Sequence, residues 1–387
     1  MTERLYYTDA YLRAFDAEVV AIAEEGRRVY LDRTAFYPTS GGQPFDTGRI
    51  GDVAVVEVVD EGERIAHLLE RPLVAGPVAG RIDWPRRFDH MQQHTGQHLL
   101  SAVFAELFGY DTASVHFGAE VSTLDLDAAA PAPEQIAAAE LRANAVVTEN
   151  RPVEVTFENA AAARALRKTP ERSGEIRVVT IRDLDRSACG GTHVRATGEI
   201  GAILIRRVER VRKTVRVEFL CGGRAVRRAR RDFDLLTRLA APLSAAPEEL
   251  PALVERMRGE LKDAGAARRA LIEELGGYRA RALYESTVPD AAGVRRAAWQ
   301  TGQGSLDELR CLAQAFAALP GAVLAGAILE PPTVVLAASE DSGVDAGKVL
   351  KAALGGAGGR GGGSARIAQG TVPDAGALME LVRRLTA

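Results

Sequence analysis

An α+β fold is predicted by three features of this 387-residue chain. Short β-rich runs broken by turn signals fill the first 85 residues, a long apolar helical pattern follows Pro85, and beyond it short strands mix with helices without a dinucleotide-binding repeat. The order expected is a small N-terminal β-barrel with a glycine-rich loop over 1–85, an α+β core over 86–224, a helical connector or oligomerisation hairpin over 225–288, and an α/β domain over 289–387.

The barrel rests on Glu18 to Ala23, Val29 to Leu31, Val53 to Val59 and Arg64 to Leu69, punctuated by Glu25-Gly26 and Glu61-Gly62. Inside it, Ser40-Gly41-Gly42-Gln43-Pro44 reads as a tight turn. A helix is predicted from Arg86 to Gly109, with Pro85 at its start and Gly109 as its stop. A second covers Pro133 to Asn150 and is ended by Arg151-Pro152. Strands follow at Val153 to Phe157, Ile176 to Ile181, Ala202 to Ile205 and Thr214 to Leu220. After Arg224, Leu250, Val254, Met257, Leu261, Ala264, Leu271, Leu275 and Tyr278 recur at steps of four and three. That spacing predicts antiparallel helices interrupted at Gly276-Gly277, with a contact between two copies of the chain, or a plain amphipathic linker.

The last domain is predicted as helix, strand, strand and helix at Leu306 to Leu319, Ala322 to Leu329, Thr333 to Ala338 and Gly347 to Leu354. The run from Gly355 to Ser364 is either a flexible linker or an ordered loop. Apolar helices on both sides and Ala368-Gln369-Gly370 after it favour the loop. It is not a phosphate-binding loop of the Walker type, because Gly347-Lys348 is followed by Val349, so ATP binding is not expected.

Composition narrows the classes. At 47% hydrophobic residues the chain can build ordinary cores. No stretch approaches the roughly 20 apolar residues of a membrane span, and Met1 to Asp9 is polar, so a soluble, cytoplasmic protein with no membrane partner is expected. Cys189, Cys221 and Cys311 form no even framework, which suits a reducing compartment. Cys221 reads as a small buried residue. A net charge of −3 argues against a general nucleic-acid binder, yet from Arg206 through Arg212 and Lys213 to Arg231 the only acids are Glu209 and Glu218. This basic stripe is suited to phosphate contacts, or is a solvated strand face.

The chemistry concentrates in two short motifs. His94 and His98 stand four residues apart in the predicted helix and share one face. Far along the chain, Cys189-Gly190-Gly191-Thr192-His193 offers a thiolate and a third imidazole on a loop that two glycines let curl. Nitrogen and sulfur donors in this number favour tetrahedral Zn2+ over calcium or magnesium. His90 makes a competing pair with His94; His94 and His98 are preferred because Leu99, Leu100, Val103, Phe104 and Leu107 follow and would bury that end. His90 is then expected to be an outer contact of the site or a nucleic-acid contact. Four protein donors close a tetrahedron, as in structural sites. Catalysis would then need a labile ligand, for which His193 at the end of its loop is the expected one, or a coordination that expands when substrate arrives.

These motifs carry a resemblance. His94 to Leu100, Ser187 to His193, Thr197-Gly198-Glu199-Ile200-Gly201, Phe36-Tyr37-Pro38 with Ser40 to Pro44, and Arg216-Val217-Glu218-Phe219 resemble the editing domain of alanyl-tRNA synthetase and its free-standing relatives, the AlaX proteins. The likeness runs from the N-terminus to about Arg224. The region 289–387 is similar to the DHHA1 domain that follows the editing domain in those synthetases. The resemblance implies a trans-editing hydrolase that cleaves serine, and glycine, from mischarged tRNA(Ala) with zinc. It also implies that Ser40, Gly41, Gly42 and Gln43 lie near the pocket and meet the tRNA 3′ end. Thr95, Gln97 and Thr192 are expected as catalytic hydrogen-bonding residues, and Ser114 as a sensor of the serine hydroxyl. Arg206, Arg212, Lys213, Gly358, Gly359 and Gly361 are expected to contact tRNA. The chain is too short for a whole synthetase and shows no adenylate-forming domain ahead of the motifs, so hydrolysis and not synthesis is expected. The alternatives are editing of serine on tRNA(Thr), and a non-catalytic tRNA-binding protein with structural zinc.

Overall fold

The alternation read in the first 85 residues closes into a barrel. The strands are β1 (Glu3–Arg4), β2 (Ala14–Ala23), β3 (Arg28–Leu31), β4 (Arg33–Thr34), β5 (Gly48–Ile50), β6 (Val53–Asp60), β7 (Ile65–Leu69) and β8 (Pro77–Ile82). Six of them close in the order β2-β3-β7-β6-β5-β8, while β1 and β4 pair in parallel. Phe15, Val29, Leu31, Phe36, Ile50, Val55 and Ile65 fill the interior, which is the inward half of the period-two pattern. The computed structural model describes residues 1–128, 130–159, 166–167 and 174–387, in two units, Met1–Pro242 and Leu243–Ala387.

Helix α1 (Trp84–Phe108) leaves the barrel directly. The Asp83 side chain accepts from Arg86 N, Pro85 sits in the first turn, and Gly109 ends the helix at φ 68°. Arg87 then ties the helix to the barrel. Its guanidinium holds Asp46 through Nε at 2.9 Å and donates to Ala10 O at 2.9 Å, while Asp46 also accepts from Tyr37 N at 2.6 Å. Both partners of this ion pair are fully buried.

Next come β9 (Asp111–Phe117), β10 (Ser122–Asp127), α2 (Pro133–Glu149), β11 (Val153–Asn159), β12 (Glu175–Ile181), β13 (Asp185–Ala188), β14 (Ile203–Val211), β15 (Thr214–Cys221) and α3 (Gly223–Ala240). They form a four-stranded sheet, β14-β15-β10-β9, and a three-stranded one, β11-β12-β13. Leu99, Leu100, Val103 and Phe104 of α1 share a core with Leu124, Leu126, Val179, Val217 and Phe219. Strands β9 and β10 lie outside the predicted elements, although Leu124 and Leu126 of β10 alternate with Asp125 and Asp127 and point into the core. The strand expected at Ala202 to Ile205 runs on to Val211 and turns back at Arg212-Lys213 to pair with β15.

The second unit comprises α4 (Leu250–Ser286), β16 (Arg295–Thr301), α5 (Leu306–Ala317), β17 (Ala322–Ile328), β18 (Thr333–Ala338), α6 (Ala346–Gly356), β19 (Arg360–Gly363), β20 (Ile367–Thr371) and α7 (Ala375–Thr386). Its sheet runs β16-β17-β18-β20-β19. Helices α6 and α7 cover one face, and α5 with Ala280 of α4 covers the other. Strands β16, β19 and β20 and helix α7 lie outside the predicted helix, strand, strand and helix.

Two expectations are corrected. The predicted interruption at Gly276-Gly277 does not occur: α4 is one helix of 37 residues. Gly276 is buried, and a side chain there would come within 3.2 Å of the Leu312 backbone, so the glycine lets α5 approach without breaking the helix. The glycine-rich run, expected as an ordered loop, is ordered but includes a strand, since Arg360–Gly363 pairs with β20 at the sheet edge. A Cβ on Gly361 would lie 2.3 Å from Gln369 O, and one on Gly359 would lie 2.5 Å from Thr371 O, so close packing accounts for both glycines. No described helix is long and apolar enough to cross a membrane.

Candidate metal centre

The first motif sits mid-helix on α1, where His94 and His98 face the second motif, carried by the loop after β13. Among the described residues, donor atoms of His94, His98, Cys189 and His193 all lie within 4.8 Å of one another. Cys189 Sγ is 3.4 Å from His94 Nε2 and 3.3 Å from His193 Nε2. Around a tetrahedral zinc ion, bonds of ~2.0–2.3 Å set neighbouring donors roughly 3.3–3.6 Å apart. The separations fit such an ion.

Each ring is aimed from behind. His94 Nδ1 donates to Gln43 Oε1 at 2.8 Å, His98 Nδ1 donates to Asp185 Oδ2 at 3.0 Å, and His193 Nδ1 is engaged by Thr95 Oγ1 at 3.2 Å. Binding through Nδ1 leaves the Nε2 edges to meet one cation, the arrangement that orients histidine ligands in metal sites. The outer partners are themselves fixed. Gln43 Oε1 also accepts from Thr192 N at 3.1 Å and its Nε2 donates to Thr192 Oγ1 at 2.8 Å. Thr95 Oγ1 accepts from Val194 N at 3.1 Å, and Asp185 accepts from Arg167 Nε at 2.7 Å. Gly191 is required by space: a Cβ there would stand 2.1 Å from His94 Cε1.

The electrostatics match a cation site. Burial alone would raise the Cys189 thiol, but the His94 and His193 rings outweigh it and hold the thiol well below its ordinary range. Burial, and then the neighbouring His94, push His193 down to about 3. His98 is opposed by burial, yet Asp185 and Cys189 raise it to about 9.

A cavity of about 230 Å³ opens beside the cluster, lined by His94, His98, Cys189, Tyr37, Ser40, Gly41, Gln97, Ser114, Arg167 and Gly190, among others. Ser40 and Gly41 reach it through a turn closed by Ser40 N to Gln43 O at 3.1 Å and Gln43 N to Ser40 O at 2.9 Å, with Gly41 at φ 57° and Gly42 at φ 85°. Ser114 Oγ donates to Asp125 Oδ2 at 2.7 Å, and Asp125 is gripped by Arg216 at 2.8 and 2.9 Å.

Several expectations change at this point. Thr95 and Thr192, expected to be catalytic, are fully buried behind the donors and hold ligands in place, whereas Gln97 lies on the cavity wall. Gln43, expected to touch tRNA, is wholly buried as the support of His94. His90 stays outside the donor cluster and is only 4% exposed, which removes it as a nucleic-acid contact. His193, expected to be labile, is anchored by Thr95 and does not line the cavity. Cys221 is fully buried against Gly96, where a Cβ would meet its sulfur at 2.2 Å. Asp185 and Arg167 were missed. The only signal for Asp185 was an acid four residues before Cys189, and nothing in the sequence paired it with His98.

Comparison with known proteins places the chain in a family. Residues 176–217, which carry Cys189 and His193, match the threonyl and alanyl tRNA synthetase second additional domain. The alanyl-tRNA editing protein AlaX-L of Pyrococcus horikoshii is 30% identical over 96% of this chain and 95% of its own length. The chain belongs to the alanyl-tRNA editing protein family. A further editing-family relative, Aarsd1 of Bos taurus, is 33% identical over 74% of this chain and 69% of its own. The alanine–tRNA ligase of Pyrococcus furiosus is 35% identical over 99% of this chain, which spans only 43% of the ligase.

Proposed function

We propose that the chain is an aminoacyl-tRNA deacylase that hydrolyses the ester of mischarged tRNA(Ala), removing serine and glycine, with Zn2+ held by His94, His98, Cys189 and His193. The observation that carries this reading is that four donors from distant parts of the sequence meet within 4.8 Å beside a cavity of about 230 Å³. Ligand pockets span roughly 300–1,000 Å³, so this space lies just below the small end of that range and suits a short aminoacyl end. A synthetase pocket that admits alanine cannot exclude glycine by size, and it rejects one added hydroxyl poorly. A second, hydrolytic site is the physical remedy. An aminoacyl ester is already activated, which leaves the enzyme to place water and the carbonyl and to recognise the amino acid. Zinc bound here would supply Lewis-acid polarisation of the carbonyl or orient the α-amino group.

The protein's own groups share the remaining work. The Ser40–Gly41 turn and Gln97 border the space where the ester would lie. Ser114, with its proton committed to Asp125, keeps oxygen lone pairs that can accept from a serine hydroxyl, which glycine lacks. Phosphate contacts would fall to Arg227 and Arg231 in the basic hollow, where Arg206, Arg224 and Arg228 are already paired with Glu218, Asp89 and Asp232, and to Arg212 and Lys213 at the tip of the β14–β15 hairpin. Unpaired cysteines are in keeping with a cytoplasmic location. The complete set of four protein donors favours one variant of this reading, in which the metal shapes the cavity without joining the chemistry.

Incubation with seryl-, glycyl- and alanyl-tRNA(Ala), with and without a chelator, tests the proposal. Loss of serine and glycine with alanine spared, abolished by the chelator, is the expected result. Equal loss of alanine would contradict the discrimination, and intact esters throughout would leave a tRNA-binding protein with structural zinc.

A further inference from the structure

The loop that delivers Cys189 and His193 has a built-in weakness. Gly191 must lack a side chain because the His94 ring occupies that place, and Gly190 beside it, where a Cβ would meet only Tyr7 at 3.8 Å, makes a second freely moving residue between the two candidate metal donors. A loop of that composition loses much conformational freedom on adopting one shape, and something outside it has to hold it.

Arg177 on β12 grips this loop from both sides of one residue. Its backbone carbonyl accepts from Cys189 N at 3.1 Å. Its side chain turns back, and Nη1 donates to Cys189 O at 2.7 Å and to Gly191 O at 2.9 Å. Both backbone polar groups of the cysteine ligand are thus taken by one residue. The guanidinium is fixed in turn by Nε donating to Tyr7 O at 3.0 Å and by the Tyr7 ring, whose centroid lies 5.7 Å away. Arg177 is half-buried, and among the described residues no carboxylate forms an ion pair with it, unlike Arg167, Arg182, Arg186 and Arg216. A guanidinium left without an acid and directed at three carbonyls acts as a fork for backbone, a geometry an ammonium cannot reproduce.

We propose that Arg177 is a positioning residue of the metal centre, clamping the backbone from Cys189 to Gly191 so that the cysteine sulfur meets the rings of His94 and His193. The proposal rests on the metal-site reading given above. Removing the clamp acts through the ligand that it aims, in the manner of other outer partners of metal ligands, whose loss weakens binding about 10–100-fold.

The test is zinc affinity, measured by competition with a chromophoric chelator, for the parent chain, Arg177→Met, Arg177→Lys and Arg182→Ala. The last removes an exposed arginine just beyond the same strand, paired to Glu154. Arg177→Met is expected to weaken zinc binding about 10–100-fold, Arg177→Lys to recover part of that loss, and Arg182→Ala to match the parent. Cobalt(II) loading supplies a second readout, in which the thiolate-to-metal absorption band of Arg177→Met is weakened relative to the parent. If Arg177→Met does not fold, Arg177→Lys decides: zinc affinity equal to the parent's overturns the proposal. Parental affinity in Arg177→Met overturns it equally. A parent chain that takes up no zinc at all removes the metal-site reading, and the clamp with it, an outcome distinct from a failure confined to the Arg177 variants.

Discussion

The first unit buries Asp46, Arg87, His67, His94, His98, Asp185 and His193, whereas the polar side chains buried in the second are Thr333, Ser339 and Ser342, among the described residues. The three hydroxyls are satisfied locally: Thr333 Oγ1 donates to Pro331 O at 2.9 Å, Ser342 Oγ donates to Ser339 O at 2.7 Å, and Ser339 Oγ accepts from Ala322 N at 2.8 Å. Removing a charge or an imidazole from water is unfavourable unless partners are supplied, so each such group in the first unit requires a constructed environment. Where that construction converges on one point, it marks a site. The second unit shows what this chain does when only a core is needed: apolar strands between two layers of helices.

The sharpest way to break this contrast is to strip the first unit of a buried charge. Arg87→Met leaves Asp46 buried without its counter-ion and is expected to destabilise the first unit by about 3–5 kcal/mol, with the second unit unchanged. Trp84 and Trp299 are the only tryptophans and fall one in each unit, so denaturation of Trp84→Phe and Trp299→Phe backgrounds follows each unit by fluorescence. A loss shared equally by both tryptophans would undo the separation drawn here.

A smaller effect separates the units by pH. All six histidines lie in the first unit. His67 is buried in the barrel, bonded to Thr34 Oγ1 at 2.8 Å, and burial lowers it from 6.5 to about 4. Because the unfolded chain binds this proton first, the stability due to neutral His67 is complete above pH 6.5 and is lost as the pH falls towards 4. At ~1.4 kcal/mol per pH unit this single group removes ~3 kcal/mol across that window. His67→Gln is expected to flatten the dependence followed at Trp84, while Trp299 shows no histidine-linked slope. An unchanged slope in the variant would assign the effect elsewhere. The smallest change is expected in the second unit, where Ser342→Ala removes two neutral hydrogen bonds, one to Ser339 O and one from Val344 N, and costs about 1–2 kcal/mol with no effect on metal content.

The same contrast explains what could be read from the chain. The two donor motifs and α1 with its Pro85 start and Gly109 stop are local signals, and sequence shows them. The supports of the donors are not local. Gln43 meets His94, Thr95 meets His193 and Asp185 meets His98 only after the barrel, α1 and the three-stranded sheet have assembled. Thr95, Thr192 and Gln43, which the motifs suggest for chemistry or tRNA contact, are all buried in the structure, with Gln43 bonded to His94 and Thr192 and Thr95 to His193. In α4 the error ran the other way: a glycine pair looked like a break, but Gly276 was answering a backbone packed against it.

X-ray absorption at the zinc edge of the metal-loaded protein tests most directly whether these four side chains surround one cation. Three nitrogen scatterers at ~2.0–2.1 Å and one sulfur at ~2.3 Å are expected, with the sulfur lost in Cys189→Ser. A shell of oxygen atoms alone, or a spectrum unaltered by that substitution, would contradict it.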